Sequence, residues 1–124
     1  MRVLGISWLG IAVDDVAPMR AFARETLGLE LDKEEEDFVV LRAPDGDLME
    51  LFGPRGPRTP GQFDANEVVA GFLVDDIERA REELVASEGV ELLGELQVME
   101  GGYAWQQFRA PDGRVYELNY DPGR

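Results

Sequence analysis

The sequence reads Ala-Pro-Asp-Gly-Asp-Leu-Met-Glu-Leu at residues 43–51 and Ala-Pro-Asp-Gly-Arg-Val-Tyr-Glu-Leu at residues 110–118, with six of nine positions identical. Pro-Asp-Gly before a short apolar run predicts a hairpin turn that enters a strand. Such a turn uses the Pro, Asp and Gly, but it has no need of the glutamate. Because burying a carboxylate within an apolar strand costs free energy, Glu50 and Glu117 are candidate functional residues.

A second repeat shows that the duplication covers the whole chain. Val13-Asp14-Asp15-Val16 matches Val74-Asp75-Asp76-Ile77 at an offset of 61 residues, whereas the turns lie 67 residues apart. The second half therefore carries six additional residues, which we place near 94–102. Internal duplication predicts two copies of one structural unit. We predict an α+β fold of two tandem βαβββ modules, residues 1–53 and 67–121, whose mixed sheets curl around a shared cleft.

Local patterns place the elements within each module. The aspartates at 14–15 and 75–76 predict helix N-caps, and Gly28 and Gly89 predict the helix ends. The prolines and glycines of residues 54–66 predict a linker between the modules. Alternating or continuous apolar runs predict strands at residues 1–13, 29–32, 38–42, 48–52, 68–74, 91–98, 103–109 and 115–120.

Composition limits the function. The chain has 124 residues, a formal net charge of −14, no cysteine and no histidine. This charge argues against nucleic-acid partners, which need clustered Lys and Arg, and it favours either simple solubility or a cleft that attracts a cationic ligand. The absence of His and Cys excludes Ser-His-Asp triads, thiolate nucleophiles and imidazole or thiolate metal sites. We expect a cytoplasmic protein with no secretory signal and no membrane partner.

The two strand-to-helix junctions, Val-Asp-Asp-Val at residues 13–16 and Val-Asp-Asp-Ile at residues 74–77, occur in the same order with the two Pro-Asp-Gly-x-x-x-Glu-Leu motifs. This pattern resembles the vicinal oxygen chelate superfamily, which includes glyoxalase I, extradiol dioxygenases and bleomycin resistance proteins. The resemblance covers about Val3 to Tyr120. In metal-dependent members, each module supplies one ligand from its first strand and one from its last. The resemblance places these positions at Trp8, Val69, Glu50 and Glu117.

Neither Trp8 nor Val69 can coordinate a cation. We therefore expect no cofactor, with a divalent metal on Glu50 and Glu117 as the weaker alternative. We predict no catalytic residue, and we favour a protein without enzymatic activity over an enzyme.

Side-chain alternation predicts which residues face the cleft. On the first strand of each module these residues include Ile6. On the strands at residues 38–42 and 103–109 we choose the face that carries Phe38 and Trp105, because the opposite choice would place Gln106 in the core. The predicted ligand-binding residues are Trp8, Phe38, Glu50, Phe52, Val69, Trp105, Gln107 and Glu117. This composition is typical of a site for an apolar or aromatic ligand with a positive group.

Several of these residues have structural alternatives. Trp8 either fills the cleft or lines it. The glutamates either pair with Arg42, Arg109 or a backbone donor, or approach each other without a cation. In the second case, repulsion and burial should hold one proton between them.

The resemblance implies three functions. The first, which we favour, is metal-independent binding or sequestration of an aromatic or cationic small molecule, as in the bleomycin resistance branch. The alternatives are a metal-dependent lyase or dioxygenase, and a non-catalytic interaction module with a filled cleft. The resemblance also implies a homodimer, with the modules paired within one chain or swapped between two.

Overall fold

The computed structural model describes all 124 residues, which form eight strands and two helices in the predicted order. Each module consists of a strand, a helix and three further strands, which confirms the predicted βαβββ repeat. The elements are β1 (Val3–Ala12), α1 (Val16–Glu25), β2 (Glu30–Glu35), β3 (Phe38–Arg42), β4 (Leu48–Phe52), β5 (Val68–Val74), α2 (Ile77–Ala86), β6 (Glu91–Val98), β7 (Ala104–Arg109) and β8 (Val115–Tyr120).

All eight strands belong to one mixed sheet, in the order β2-β3-β4-β1-β5-β8-β7-β6. Within each module the first strand pairs in parallel with the last, β1 with β4 and β5 with β8. The antiparallel pairing of β1 with β5 joins the two modules edge to edge within one chain. The sheet curls without closing, so it has a concave face between the modules.

The two helices begin as the sequence predicts. Asp15 Oδ1 accepts a hydrogen bond from the Ala17 N–H at 3.2 Å, and Asp76 Oδ1 accepts one from the Arg79 N–H at 3.0 Å. Both helices end earlier than predicted, at Glu25 and Ala86. The glycines expected as C-caps lie further on, in left-handed conformations that turn the chain towards the next strand. Each helix has ten residues, and neither is long and apolar enough to cross a membrane.

The helices cover one face of the sheet. Below α1 lies an apolar cluster of Ala23, Val39, Leu41 and Leu51, and below α2 lies a larger one that includes Ile77, Leu84, Phe108 and Leu118. The third cluster belongs to the opposite, concave face, and its members are Trp8, Phe38, Val40, Phe52, Val69 and Val115. The strands β3, β4, β5 and β8 therefore bury side chains on both faces, which accounts for the near-continuous apolar runs in their sequences.

A bulge in β1 contradicts the expectation for Ile6. The register with β5 shifts between Ile6 and Trp8, so Ile6 pairs with Phe72 and Trp8 with Gly71. The additional residue breaks the alternation, because two residues of a bulged strand oppose one on the partner. Ile6 is consequently 63% exposed, whereas Ser7 is buried, so the prediction that Ile6 faces the cleft was wrong.

Gln106 also differs from the expectation. The choice of face for β3 and β7 holds, but Gln106 is nevertheless fully buried, on the helix face. Its side chain is satisfied there, since Arg81 Nε donates to Gln106 Oε1 at 2.8 Å and Gln106 Nε2 donates to the carbonyl of Gly94 at 3.0 Å. The reason given for the choice was therefore wrong, because a buried glutamine with all its hydrogen bonds is compatible with the core.

Candidate functional site

A cavity of about 570 Å³ opens on the concave face and takes side chains from both modules. Seven of the eight predicted ligand-binding residues line it. They are Trp8, Phe38, Glu50, Phe52, Trp105, Gln107 and Glu117. Val69 does not reach the surface of the cavity, because it is fully buried in the cluster that includes Trp8.

Another cavity, of about 680 Å³, lies on the outer side of the molecule beside α1 and β2. Its lining is mostly charged, and Arg20 and Glu34 form an ion pair within it. None of the charged residues that line it is buried, whereas the concave cavity contains the buried carboxyl of Glu117 together with the partly buried one of Glu50. We therefore place the candidate site in the concave cavity.

Trp8 forms a wall of the cavity and does not fill it. The side chain is only 3% exposed, and its ring makes an edge-to-face contact with Phe52 at 6.3 Å between ring centroids. The indole lies across the sheet so closely that a Cβ on Gly10 would overlap it, and one on Gly71 would lie 2.9 Å from Trp8 Cβ. The absence of side chains at these two glycines, on neighbouring strands, thus leaves the space that the Trp8 ring occupies.

Glu117 is held by a network of side chains from three strands. Gln107 Nε2 donates to Glu117 Oε2 at 3.2 Å, and Asn119 Nδ2 donates to Glu117 Oε1 at 3.4 Å. Asn119 Oδ1 in turn accepts a hydrogen bond from Ser7 Oγ at 2.6 Å. The β1 bulge thus brings Ser7 to the same network, which fixes the orientation of the Glu117 carboxyl.

Burial changes the acidity of both glutamates. It raises the pKa of Glu117 to about 8, and the negative charge of Glu50 raises this pKa as well, against the hydrogen bonds from Gln107 and Asn119. Burial likewise raises the pKa of Glu50 to about 7, opposed by the Trp8 indole N–H and by Lys33. When both are ionised, the two carboxylates thus repel each other in a poorly solvated environment. This arrangement favours at least one proton on the pair near neutral pH, as expected for carboxyls that approach without a cation.

The alternative in which arginines neutralise the glutamates was wrong. Arg42 instead binds Asp32, with Nε 3.0 Å from Asp32 Oδ1, and Arg109 donates to the carbonyl of Gly113 at 2.9 Å. No Lys or Arg forms an ion pair with Glu50 or Glu117. The negative charge that the pair develops on ionisation is therefore available to a ligand.

The segment predicted only as a linker contributes to the cavity wall through Pro57, Thr59 and Gln62. Gln62 is 2% exposed, and its Oε1 accepts a hydrogen bond from the Thr59 N–H at 2.9 Å, whereas its Nε2 has no partner in the protein. Sequence reasoning missed this wall because proline and glycine dominate the segment. Phe63, which packs against Phe52, is the apolar residue that could have indicated a packed loop.

Tyr103 is a second cavity residue that the sequence analysis did not select. Burial raises the pKa of its hydroxyl, and the nearby charges of Glu117 and Glu50 raise it further, so the hydroxyl remains protonated. Tyr103 precedes Trp105 by two residues and lies beside it, with ring centroids 6.3 Å apart. The alternation that selected Trp105 and Gln107 would have selected Tyr103 if it had been continued to the start of the strand.

The site does not fit a bound metal ion. Of the four positions that the family resemblance assigns to metal ligands, Trp8 and Val69 offer no lone pair, which leaves only Glu50 and Glu117. No group of three or more Asp, Glu, His or Cys side chains in the molecule could hold a metal ion. Two carboxylates without further protein ligands give neither a closed nor a selective metal centre.

Solved structures share this fold. The chain superimposes on methylmalonyl-CoA epimerase from Mycobacterium tuberculosis with a TM-score of 0.72 at 20% identity, over 98% of this chain and 91% of that one. For the Mn(II)-bound glyoxalase from Novosphingobium aromaticivorans the TM-score is 0.74 at 23% identity, over 97% of this chain but 40% of that one. A glyoxalase/bleomycin resistance protein/dioxygenase superfamily member from Vibrio splendidus gives 0.65 at 22% identity, over 91% and 96% of the two chains. Such low identities show the fold alone.

Sequence comparison carries the assignment further. No curated protein sequence matches the chain. The profile of one family matches residues 5–118, which include most of both modules and both Glu-Leu motifs. The chain therefore belongs to the Glyoxalase/Bleomycin resistance protein/Dioxygenase superfamily.

Proposed function

We propose that this protein binds or sequesters a small aromatic cation in the concave cavity, without the help of a metal ion. One observation carries the proposal. Glu50 and Glu117 lie in an aromatic-lined cavity of about 570 Å³ with raised pKa values and no cationic partner from the protein. A cation between them would replace their mutual repulsion with attraction, so it would be bound strongly at this place.

The walls suit the aromatic part of such a ligand. Trp8, Phe38, Phe52 and Trp105 all line the cavity, and Phe38 and Phe52 lie 5.0 Å apart in a tilted arrangement. Aromatic faces attract cations and also pack against flat ligands. The cavity volume lies within the range of about 300–1,000 Å³ that is common for small-molecule sites.

Other residues of the cavity lining add negative charge. They are Asp32, Glu35, Glu100 and Asp121, against only Lys33 and Arg42. Both cations are already paired, Lys33 with Glu35 at 3.1 Å and Arg42 with Asp32 at 3.0 Å. Together with the net charge of −14, this arrangement supports steering of a cation towards the cavity.

The structure gives less support to the other functions considered. A metal-dependent lyase or dioxygenase needs ligands that Trp8 and Val69 cannot supply. An interaction module with a filled cleft needs Trp8 to occupy the space, but a cavity remains beside it.

A sequence without cysteine suits a reducing compartment, so we place the proposed function in the cytoplasm, which cell fractionation checks.

One specific observation favours a second candidate, proton-transfer catalysis. Two carboxyls with pKa values of about 7 and 8 are suited to general acid and base roles near neutral pH. Methylmalonyl-CoA epimerases are among the solved structures with this fold. Exchange of the C2 proton of methylmalonyl-CoA in D₂O, followed by NMR, tests this candidate. The acidic lining of the cavity disfavours so anionic a substrate, and we expect no exchange above the rate without protein.

We also propose that the protein forms a homodimer. Met1, Val3, Leu4 and Ile6 are all at least 45% exposed at one end of β1, and grouped apolar side chains are typical of an interface. Since the modules already pair within one chain, this dimer needs no module swap. Light scattering coupled to size exclusion checks the assembly. We expect a dimer of the native chain and a monomer of Ile6→Glu, and a native monomer would contradict the proposal.

Thermal unfolding in EDTA tests the main proposal, because a ligand raises Tm by mass action. Benzylamine should raise Tm, and benzyl alcohol, its neutral counterpart, should not. The double variant Glu50→Gln, Glu117→Gln should lose the response, whereas Glu82→Gln, on the exposed side of α2, should keep it. The metal ions Mn²⁺, Ni²⁺ and Zn²⁺ are tested in a parallel series without EDTA. A rise in Tm with any of them and none with aromatic cations would contradict the proposal.

A further inference from the structure

We propose that the cavity selects cations that carry N–H donors, such as primary ammonium groups, over quaternary ammonium ions of the same charge. This inference rests on the proposed function and specifies its ligand class. It follows from the hydrogen-bonding groups around the carboxyl pair.

An acceptor beside Glu117 lacks a partner. Gln107 is 3% exposed and lines the cavity, and its Oε1 is buried without a hydrogen bond from any residue. The opposite end of the same amide is occupied, because Nε2 donates to Glu117 Oε2 at 3.2 Å. While Glu117 is ionised, this bond prevents the side-chain amide of Gln107 from flipping, because its carbonyl oxygen would then face the carboxylate and be repelled by it. Gln107 therefore offers an acceptor, and a buried acceptor without a donor is unfavourable.

The surrounding groups are also acceptors. Each Glu117 oxygen receives one hydrogen bond from the protein, from Gln107 or Asn119, and a carboxylate oxygen can accept about two. Glu50 adds two further oxygens and forms no ion pair. A ligand with several N–H groups can thus donate to Gln107 and to both carboxylates at once.

A quaternary ammonium ion satisfies only part of this environment. Its charge is attracted by the carboxylates and by the faces of Trp8 and Trp105, as for any cation. Its methyl groups donate no N–H hydrogen bond, so Gln107 Oε1 remains without a partner, and the carboxylates lose hydrogen bonds to water that the ligand does not replace. Preference for N–H donors therefore distinguishes this site from a purely aromatic cage.

A methylation series tests the inference on the native protein. Benzylamine, N,N-dimethylbenzylamine and benzyltrimethylammonium are monocations with three, one and no N–H groups, and calorimetry at pH 8 in EDTA compares their affinities. We expect affinity to fall along the series, by roughly fivefold for each hydrogen bond lost. Gln107→Leu, checked for folding by circular dichroism, also removes the donor that favours ionised Glu117, so it should weaken both ligands. It should weaken benzylamine by roughly fivefold more than benzyltrimethylammonium, because only benzylamine loses a hydrogen bond to Gln107 Oε1.

The outcomes separate the two proposals. Equal affinities along the series, or tighter binding of benzyltrimethylammonium, would overturn the selection for N–H donors and leave the proposed cation site standing. Binding of none of the three cations would overturn the proposed function and this inference with it. Because the series uses the native chain, the result does not depend on the folding of Gln107→Leu.

Discussion

The indole ring of Trp8 lies over Gly10, two residues further along the same strand, at a distance that leaves no space for a side chain on Gly10. Gly71, opposite Trp8 on β5, is similarly close. The wall of the cavity therefore depends on two residues that have no side chain. Trp8 occupies the place where the family resemblance puts a metal ligand, so this packing also separates the protein from the metal-dependent pattern.

Gly10→Ala should therefore destabilise the protein and disturb the cavity. The added methyl group overlaps the Trp8 ring, and overpacking a close-packed site typically costs about 1–3 kcal/mol. Urea unfolding measures the loss, and tryptophan fluorescence reports the displacement of Trp8. Gly5→Ala in the same strand is the control, since nothing lies within 4 Å of a Cβ there. Equal stability of the two variants would show that Trp8 moves aside at no cost.

Glu50→Gln should flatten the dependence of stability on pH. The raised pKa of about 7 means that the folded protein holds a proton which the unfolded chain, with a pKa near 4.5, has released. This group therefore contributes stability that is fully present below pH 4.5 and is lost as the pH rises through about 7. The free energy of unfolding falls by up to about 1.4 kcal/mol per pH unit for one such group.

Urea unfolding of both proteins from pH 5 to pH 8 measures this slope. The variant also lacks the charge that raises the pKa of Glu117, so its slope should decrease for both reasons. Glu82→Gln removes an exposed carboxyl and serves as the control. A slope unchanged by Glu50→Gln would mean that Glu50 is already ionised at pH 5 in the folded protein.

The fold could be predicted from the sequence because its main signal is repeated. Val-Asp-Asp before each helix and Pro-Asp-Gly before each last strand occur twice in the same order, and Asp15 and Asp76 do cap the helices. Alternation then brought seven of eight predicted residues to one cavity. It failed at Ile6, because a bulge is a property of the pairing between two strands and leaves little trace in either one.

The polar part of the site was less predictable. The bond from Ser7 to Asn119 joins residues 112 positions apart and exists only because the bulge turns Ser7 to the concave face. The wall around Gln62 depends on how a loop folds back over the sheet, which turn residues alone do not specify. Nothing in the local sequence of Gln107 indicates that one end of its amide is occupied and the other is not.

Binding of an aromatic cation should strengthen as the pH rises from 6 to 9. The cation favours the ionised forms of Glu50 and Glu117, whose pKa values of about 7 and 8 leave protons to be released on binding. The other titratable groups of the cavity wall are Asp32, Lys33, Glu35, Arg42, Glu100, Tyr103 and Asp121. Calorimetry with benzyltrimethylammonium, whose charge is fixed, gives both the affinity and the proton release when the ionisation enthalpy of the buffer is varied.

We expect the affinity to rise by roughly tenfold per pH unit at most while one proton is released. Glu50→Gln should reduce both the proton release and the rise in affinity. An affinity that is independent of pH between 6 and 9 would show that the cation does not approach the carboxyl pair.

Arg58→Ala should loosen the wall formed by residues 54–66. Arg58 Nη2 donates to the carbonyl of Phe52 at 2.9 Å and Nε donates to the carbonyl of Gly53 at 3.1 Å, and the guanidinium lies 5.1 Å from the centre of the Phe63 ring. These contacts hold the loop against β4, beside Gln62. Their loss should cost about 1 kcal/mol and accelerate amide hydrogen exchange at residues 59–64.

The matched control is Arg55→Ala, in the same loop, because the Arg55 side chain is 76% exposed and reaches only Glu36 and Asp37. Hydrogen exchange followed by mass spectrometry compares the two variants, and calorimetry with benzylamine relates the loop to binding. Arg58→Ala should weaken the binding of benzylamine by roughly fivefold, because binding must then order a wall that has lost about 1 kcal/mol of stabilisation. If both variants exchange and bind alike, the loop is held by the packing of Phe63 on Phe52, and the guanidinium contacts contribute nothing to the shape of the cavity.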